Sequence, residues 1–241
     1  MDLQGMDLHG RHIVVTGGAG ALGTAVVAAL SEAGALCHVA CFDEAEAARF
    51  RPRAPKNVSI TVTGSLADEA AVARLYRGVE PLWASIHIAG GFAAGPLRET
   101  TIDVIRQQID MNLLSSMLCC RAAVNAMTGS AMAGNGGRIV NVSARAGLEW
   151  RSGAGMVAYT VSKAAVAALT AALAEEVAKD GILVNAVAPS IMDTQANRQA
   201  MPKADYALWP KVEEVAATIA FLVSPENRVT RGAIVSVYGK S

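Results

Sequence analysis

Tyr159 and Lys163 stand four residues apart in the segment YTVSK. On a helix that spacing places a phenol and an ammonium on one face. A free phenol titrates near ~10 and is a poor acid-base group at neutral pH. A neighbouring cation favours the phenolate, which suits proton transfer to or from a carbonyl or alcohol oxygen. Far upstream lies TGGAGALG at 16–23, in which Gly18, Gly20 and Gly23 fit G-x-G-x-x-G. Such a turn between a strand and a helix lets backbone approach a pyrophosphate and aims unpaired N–H groups at it. Taken singly, the pair is an ordinary solvated helix face and the glycines an ordinary tight turn. Their presence in one chain points to proton transfer beside a bound dinucleotide.

Asp43 stands 20 residues after Gly23, and no Lys or Arg lies between 35 and 48. An acid there accepts from the ribose hydroxyls and repels a 2′-phosphate, which favours NAD(H) and leaves NADP(H) open. The same residue can instead start the short acidic helix DEAEAA.

These groups need a frame, and the hydrophobic pattern supplies one. Strand-length apolar runs at 11–16, 36–42, 58–63, 82–89, 138–143, 182–188 and 233–237 alternate with helical stretches at 21–33, 67–78, 100–110, 112–128, 156–179 and 211–224. Gly134 to Gly137 reads as a turn before the fifth strand, and Pro189 as the stop of the sixth. Repeated β-α units with strands apolar on both faces predict a parallel sheet buried between helix layers. The expectation is one α/β domain over 1–241, doubly wound, with about seven strands. The stretch 190–210 lacks periodicity and reads as a ligand-side loop.

Composition narrows the function classes. The 241 residues carry 21 basic and 21 acidic groups, so no basic surplus suggests nucleic acid. No run of roughly 18 or more apolar residues predicts a membrane span. The polar start, without an apolar signal core, leads to the expectation of a cytoplasmic protein. Cysteines 37, 41, 119 and 120 match no zinc spacing, and no metal site is expected. Ala (47) and Gly (22) exceed a quarter of the chain. Seven of the alanines fall between 164 and 174, giving a helix smooth on more than one face.

TGGAGALG, IAGG at 88–91, Asn112 in MNLL, IVNVS at 139–143, YTVSK at 159–163 and NAVAPS with Thr194 occur in an order and context that carry a resemblance. The chain resembles the short-chain dehydrogenase/reductase family over essentially its whole length. The resemblance implies a Rossmann-type fold and an NAD(P)-dependent oxidoreductase acting on a small carbonyl or alcohol. Tyr159 would be the acid-base, and Lys163 would bind the nicotinamide ribose and lower the Tyr159 pKa. Asn112 would hold a helix kink and a proton-relay water. Gly17, Gly20, Ala21, Leu22 and Gly23 would receive the pyrophosphate, and Ser65 and Leu66 the adenine. Ala89 and Gly90 would leave room for the ribose, and Pro189, Ile191 and Thr194 would border the nicotinamide. Trp150 and Trp209 are candidates to stack on a flat substrate, or to anchor their loops. A homotetramer or homodimer through the 112–128 and 156–179 helices is also implied.

The departures from the family pattern are specific. Ala21 replaces the middle glycine of the turn, His87-Ile88 replaces Asn-Asn, and Cys41-Phe42 stand where a ribose-reading residue is usual. Ser143 is followed by Ala144 where the family has Ser-Ser, so Ser143 is the candidate catalytic serine, with Ser152 as a weaker substitute. HVACFD at 38–43 and the segment 191–209 resemble dihydropteridine reductases, which lack that serine. An activated C=N substrate is therefore the alternative reading. A non-catalytic dinucleotide-binding scaffold is the alternative of another class.

Overall fold

The computed structural model describes residues 6–129 and 136–241. Seven parallel strands form one sheet: β1 (His12–Thr16), β2 (Leu36–Cys41), β3 (Val58–Val62), β4 (Leu82–His87), β5 (Gly137–Val142), β6 (Ile182–Pro189) and β7 (Ile234–Val237). Their order is β3-β2-β1-β4-β5-β6-β7. The order reverses between β1 and β4, so the crevice of a doubly wound sheet opens at their C-terminal ends.

Alternate side chains of the five inner strands feed two cores, which is why those strands read as continuously apolar, while β3 and β7 at the edges pack on one. Ile13, Val15, Val39 and Ile86 face α1 (Ala21–Glu32) and α9 (Val212–Val223). Val14, Ala40, Ile139 and Val184 face α3 (Glu69–Tyr76), α5 (Ser115–Gly129) and α7 (Val157–Glu176). Asp68 caps α3 by accepting from Ala70 N at 2.9 Å. Short helices α2 (Glu44–Phe50), α4 (Ile102–Gln108), α6 (Arg145–Leu148) and α8 (Gln195–Ala200) complete the chain.

Three local features depart from the sequence pattern. The expected helices 100–110 and 112–128 are one continuous run, because Ile109–Leu114 winds as a π-helical turn joining α4 to α5. The 190–210 loop contains α8, capped by Thr194, whose hydroxyl oxygen accepts from Asn197 N at 3.2 Å. Pro189 lies inside β6, as its last residue. Of the expected turn at 134–137, Gly134 lies outside the described residues, while Gly136 adopts φ +72° before β5. A side chain at Gly136 would meet Gly181 O at 2.5 Å, so glycine is required there on two counts.

α7 is 20 residues long and, among the described residues, the helix apolar and long enough to cross a membrane by length and composition alone. Here it buries Lys163, Val166, Thr170 and Ala174 beside β5 and β6. Val157 and Val161 on its other side are exposed, as is Met117 of α5.

His87 is a strand residue of unusual surroundings. It is buried, its Nε2 lies 2.8 Å from Ser85 Oγ, and its Nδ1 lies 2.8 Å from Asn141 Oδ1. Tyr76 Oη closes the cluster on Ser85 at 2.6 Å, and Asn141 Nδ2 donates to Thr170 Oγ1 at 2.9 Å. Burial pushes the His87 imidazole down to about 4. The unfolded chain takes up this proton near ~6.5, so stability falls as pH drops from there toward 4. The expected loss is about 3 kcal/mol at the bottom of that window. His38 acts in the same direction, lowered by burial and by the charge of His12, 2.8 Å away. Urea unfolding at both ends of the window should show a smaller acid loss for His87→Gln than for the wild type. Equal slopes would remove His87 as a cause.

Candidate active site

The glycine turn is built by close approach. Gly17 has φ +65°, and a Cβ there would lie 2.7 Å from Ala89 N and 2.9 Å from Ala89 Cα. A Cβ on Gly23 would strike Gly17 O and come within 2.5 Å of Gly18 Cα. Gly20 precedes α1 with no side-chain cap, so the first N–H groups of that helix, at Ala21, Leu22 and Gly23, are left for another acceptor. Thr16 Oγ1 accepts from Ala89 N at 3.2 Å and ties the turn to the end of β4.

A cleft of about 760 Å³ opens there, bordered by Gly17, Phe42, Glu46, Ser65, Leu66 and Gly90, among others. The structure thus brings the expected Gly17, Ser65, Leu66, Ala89 and Gly90 together. Asp43 is placed otherwise. Its carboxylate caps α2 by accepting from Glu46 N at 2.7 Å. Glu46 borders the cleft, as do Asp103 and Asp110, and its Oε2 accepts from Phe42 N at 2.6 Å. Sequence order favoured Asp43 because it follows the strand; the first turn of α2 carries Glu46, three residues on, back over the strand end. Arg53 Nη2 donates to Ala19 O at 3.0 Å and sets a cation against the turn.

α7 carries Tyr159 and Lys163 to the same edge of the sheet. Lys163 Nζ is buried and donates to Val142 O at 2.9 Å. A Cβ on Gly90 would lie 3.4 Å from Nζ and 2.5 Å from Asn112 Oδ1, so the missing side chain keeps the ammonium open toward Gly90. Burial lowers Lys163 to about 8 and raises Tyr159 to about 12. The Tyr159 shift runs opposite to the lowering expected from a cation on the same helix face. Desolvation by burial is the cause of that direction. Both groups are held in their protonated forms at neutral pH.

Asn112 sits in the π-helical turn with no exposed surface. Its amide clamps Gly91 in both directions, accepting from Gly91 N and donating to Gly91 O, each at 3.0 Å. Its Nδ2 also donates to Ser162 Oγ at 3.1 Å, between Tyr159 and Lys163. A π-turn interrupts the i→i−4 ladder and lets one helix carry such a converging polar group.

Ser143 is buried, and its hydroxyl donates to Lys163 O at 2.8 Å. With Lys163 Nζ on Val142 O, this makes a reciprocal tie between the end of β5 and α7. Ser152 donates to Glu149 O at 2.7 Å within its own turn. Pro189 ends β6, Ile191 is exposed just beyond it, and Thr194 is the cap of α8. Trp209 is buried against Tyr206, with ring centroids 5.0 Å apart, as a loop anchor would be. Trp150 is exposed, its Nε1 donating to Gly147 O at 3.0 Å. Sequence reasoning passed over Phe92, which stands edge-on to Tyr159 with ring centroids 5.0 Å apart and planes at 81°. It follows IAGG immediately, and that adjacency was the available signal.

A dinucleotide fits this arrangement. The turn and Gly90 would lose their clearances with any side chain, and Lys163 Nζ has N–H groups beyond the one given to Val142 O. Among the described residues no cluster of three or more His, Cys, Asp or Glu could hold a metal ion.

Comparison with known proteins agrees with this geometry. Residues 11–205 match the family model described as short chain dehydrogenase. The chain is similar to a galactitol 2-dehydrogenase from Rhizobium johnstonii, at 34% identity over 95% of this chain and 94% of the relative. It is similar to a cis-4-hydroxycyclohexanecarboxylate dehydrogenase from Sinomonas cyclohexanicum, at 34% identity and 95% coverage of each. The crystal structure of gox2181 superposes with a TM-score of 0.87 at 28% identity, covering 99% of this chain and 98% of that one. The chain belongs to the short chain dehydrogenase family, as an oxidoreductase whose hydride passes between a nicotinamide dinucleotide and a small alcohol or carbonyl.

Proposed function

We propose that the protein reduces a small ketone, or oxidises the matching secondary alcohol, with NAD(H) preferred and Tyr159 as the acid-base. The observation that carries this reading is the placement of Tyr159 and Lys163 on α7, with Lys163 Nζ open toward the Gly90 side of the dinucleotide cleft. Relatives named for galactitol and cis-4-hydroxycyclohexanecarboxylate support a small alcohol as substrate.

The bound nicotinamide supplies or receives the hydride. The chain's own residues do the rest. The N–H groups at Ala21, Leu22 and Gly23, with the bare backbone of Gly17 and Gly20, would hold the pyrophosphate, and Ser65 and Leu66 would border the adenine. Lys163 would offer its remaining N–H groups to the nicotinamide ribose. Pro189, Ile191 and Thr194 wall the nicotinamide side, and the Thr194 O–H remains free to donate. Tyr159 Oη, protonated at neutral pH, gives its proton to the carbonyl oxygen as it becomes an alkoxide. Asn112 fixes Gly91 and Ser162 on either side of that step. Ser143 holds Lys163 through its backbone.

The commitment of Ser143, with Ala144 after it, supports the second reading, reduction of an already activated C=N such as a quinonoid dihydropterin. A panel of ketones and a quinonoid dihydropterin, mixed with NADH or NADPH and followed by nicotinamide absorbance, tests both. Turnover of the pterin alone would favour the second reading, and turnover of none would overturn both.

Glu46 at the cleft supports NAD(H), since a 2′-phosphate would meet its carboxylate at the strand end. Glu46→Gln is expected to raise affinity for NADPH relative to NADH about tenfold, of the order of one charge contact. Fluorescence titration of each reduced cofactor measures it. An unchanged ratio would remove Glu46 as the determinant of cofactor choice.

Two further expectations fit the surface. The exposed Val157, Val161 and Met117 support a homodimer or homotetramer through α5 and α7. All four cysteines are free and buried, which supports a reducing, cytoplasmic setting.

A further inference from the structure

We propose that Phe92 is a substrate-recognition residue and that the substrate carries an apolar ring next to the reacting carbonyl or alcohol carbon. The inference rests on the reading of Tyr159 as acid-base and adds the class of carbon skeleton that Tyr159 serves.

Phe92 is 62% exposed, although it is a large apolar side chain beside a buried functional centre. Its ring stands edge-on to Tyr159, with centroids 5.0 Å apart. It is not held there by burial of its own ring; it is held by its backbone. On one side, Asn112 clamps both polar groups of Gly91 at 3.0 Å. On the other, Gly95 N donates to Gly155 O at 2.7 Å, in the loop that leads into α7. A Cβ on Gly91 would lie 2.5 Å from Met111 Cε, so the segment is seated against the helix as well. A loop fixed at both ends therefore presents an aromatic face beside the phenol, where water gains nothing from it.

The polar side of the site has its serine hydroxyl already committed. Ser143 gives its hydroxyl to Lys163 O, and the next residue is the methyl-bearing Ala144, which is buried. A carbonyl held by the Tyr159 hydroxyl alone is free to turn about that hydrogen bond. Hydride transfer to one face requires a second contact, and that contact must come from the carbon skeleton. Phe92 is the aromatic ring paired with Tyr159, and a substrate ring stacked or set edge-on against it fixes the face.

The test compares two methyl ketones of equal carbon number, acetophenone and 2-octanone. The wild type, Phe92→Ala and Phe92→Trp are assayed with NADH. Phe92→Ala is expected to lower the acetophenone to 2-octanone ratio of kcat/KM about tenfold, the size of one aromatic contact with its buried area. The loss should lie in KM, the enantiomer ratio of 1-phenylethanol should move toward unity, and Phe92→Trp should restore both. The Kd of NADH should stay within about twofold, since the pyrophosphate turn is untouched. Equal losses for the two ketones, or an unchanged enantiomer ratio, would overturn the proposal. A binding arm keeps the question open to decision where turnover is slow. Saturation-transfer NMR of 1-phenylethanol against 2-octanol, with NAD⁺ present, should show ring-proton contact in the wild type that Phe92→Ala loses, and equal signals in both proteins would overturn it. Failure of the underlying reading has a separate signature, namely equal rates for the wild type and Tyr159→Phe.

Discussion

Replacing Tyr159 with Phe is expected to lower kcat about a thousandfold, the usual worth of a positioned acid-base group. The Kd of NADH should barely change, because only a hydroxyl on the substrate side is lost. Phe92 packs on the ring rather than on the hydroxyl, so the aromatic contact survives the substitution. Stopped-flow measurement of the hydride step, with a separate cofactor titration, separates the two effects. A rate near that of the wild type would sink Tyr159 as the proton donor. The titration state adds a directional expectation. Burial holds the phenol protonated up to about 12, so it is ready to act as an acid at neutral pH. Alcohol oxidation needs the phenolate and should speed up as pH rises, whereas carbonyl reduction should not. Above about 8, where Lys163 gives up its proton, reduction should decline as the cation beside the ribose site is lost.

Gly23→Ala should be the most damaging change at the dinucleotide end. Its methyl would strike Gly17 O and crowd Gly18 Cα, and both of those atoms belong to backbone. Backbone cannot swing aside like a side chain, so the turn must open or α1 must shift. Overpacking of this kind costs on the order of 1–3 kcal/mol in stability, and more where backbone has to move. Cofactor affinity should fall by at least about a hundredfold, because the helix N–H groups no longer converge on the pyrophosphate. Thermal unfolding with and without NADH reads both quantities. A variant that keeps the wild-type melting shift on adding NADH would show that the turn tolerates the methyl.

The sequence carried those parts of the site that depend on neighbours along the chain. The glycine turn follows its strand directly, and Tyr159 and Lys163 share one helical face, so spacing alone located them. The five inner strands were legible because their apolar residues feed both cores, and the edge strands β3 and β7 because alternate residues pack on one of them. What depended on the direction of a side chain was not. Ser143 was a sound candidate by position, but its hydroxyl is aimed at the α7 backbone. Asp43 was the acid nearest the strand end, yet helix capping took its carboxylate and Glu46 came to the cleft. The sign of the Tyr159 shift was missed for a similar reason. Spacing shows that a cation is near, and only burial shows that desolvation outweighs it. The π-helical turn left no mark in the hydrophobic period, because six residues of it look like any other helix.

The strand order has a consequence for how the molecule is made. β1 is flanked by β2, its successor, and by β4, which arrives only after two more helical crossovers. Ala89, against which the Gly17 turn is fitted, belongs to that later segment, and Trp83 of β4 is itself pinned to Val223 O, 140 residues further on. A chain emerging from the ribosome therefore holds the glycine turn long before it holds a cleft. Contacts of such long sequence separation form late, after the local helices and the first strand pairs. Binding energy from the dinucleotide is available only to a chain that has closed this last junction, so the ligand selects completed molecules from partly folded ones.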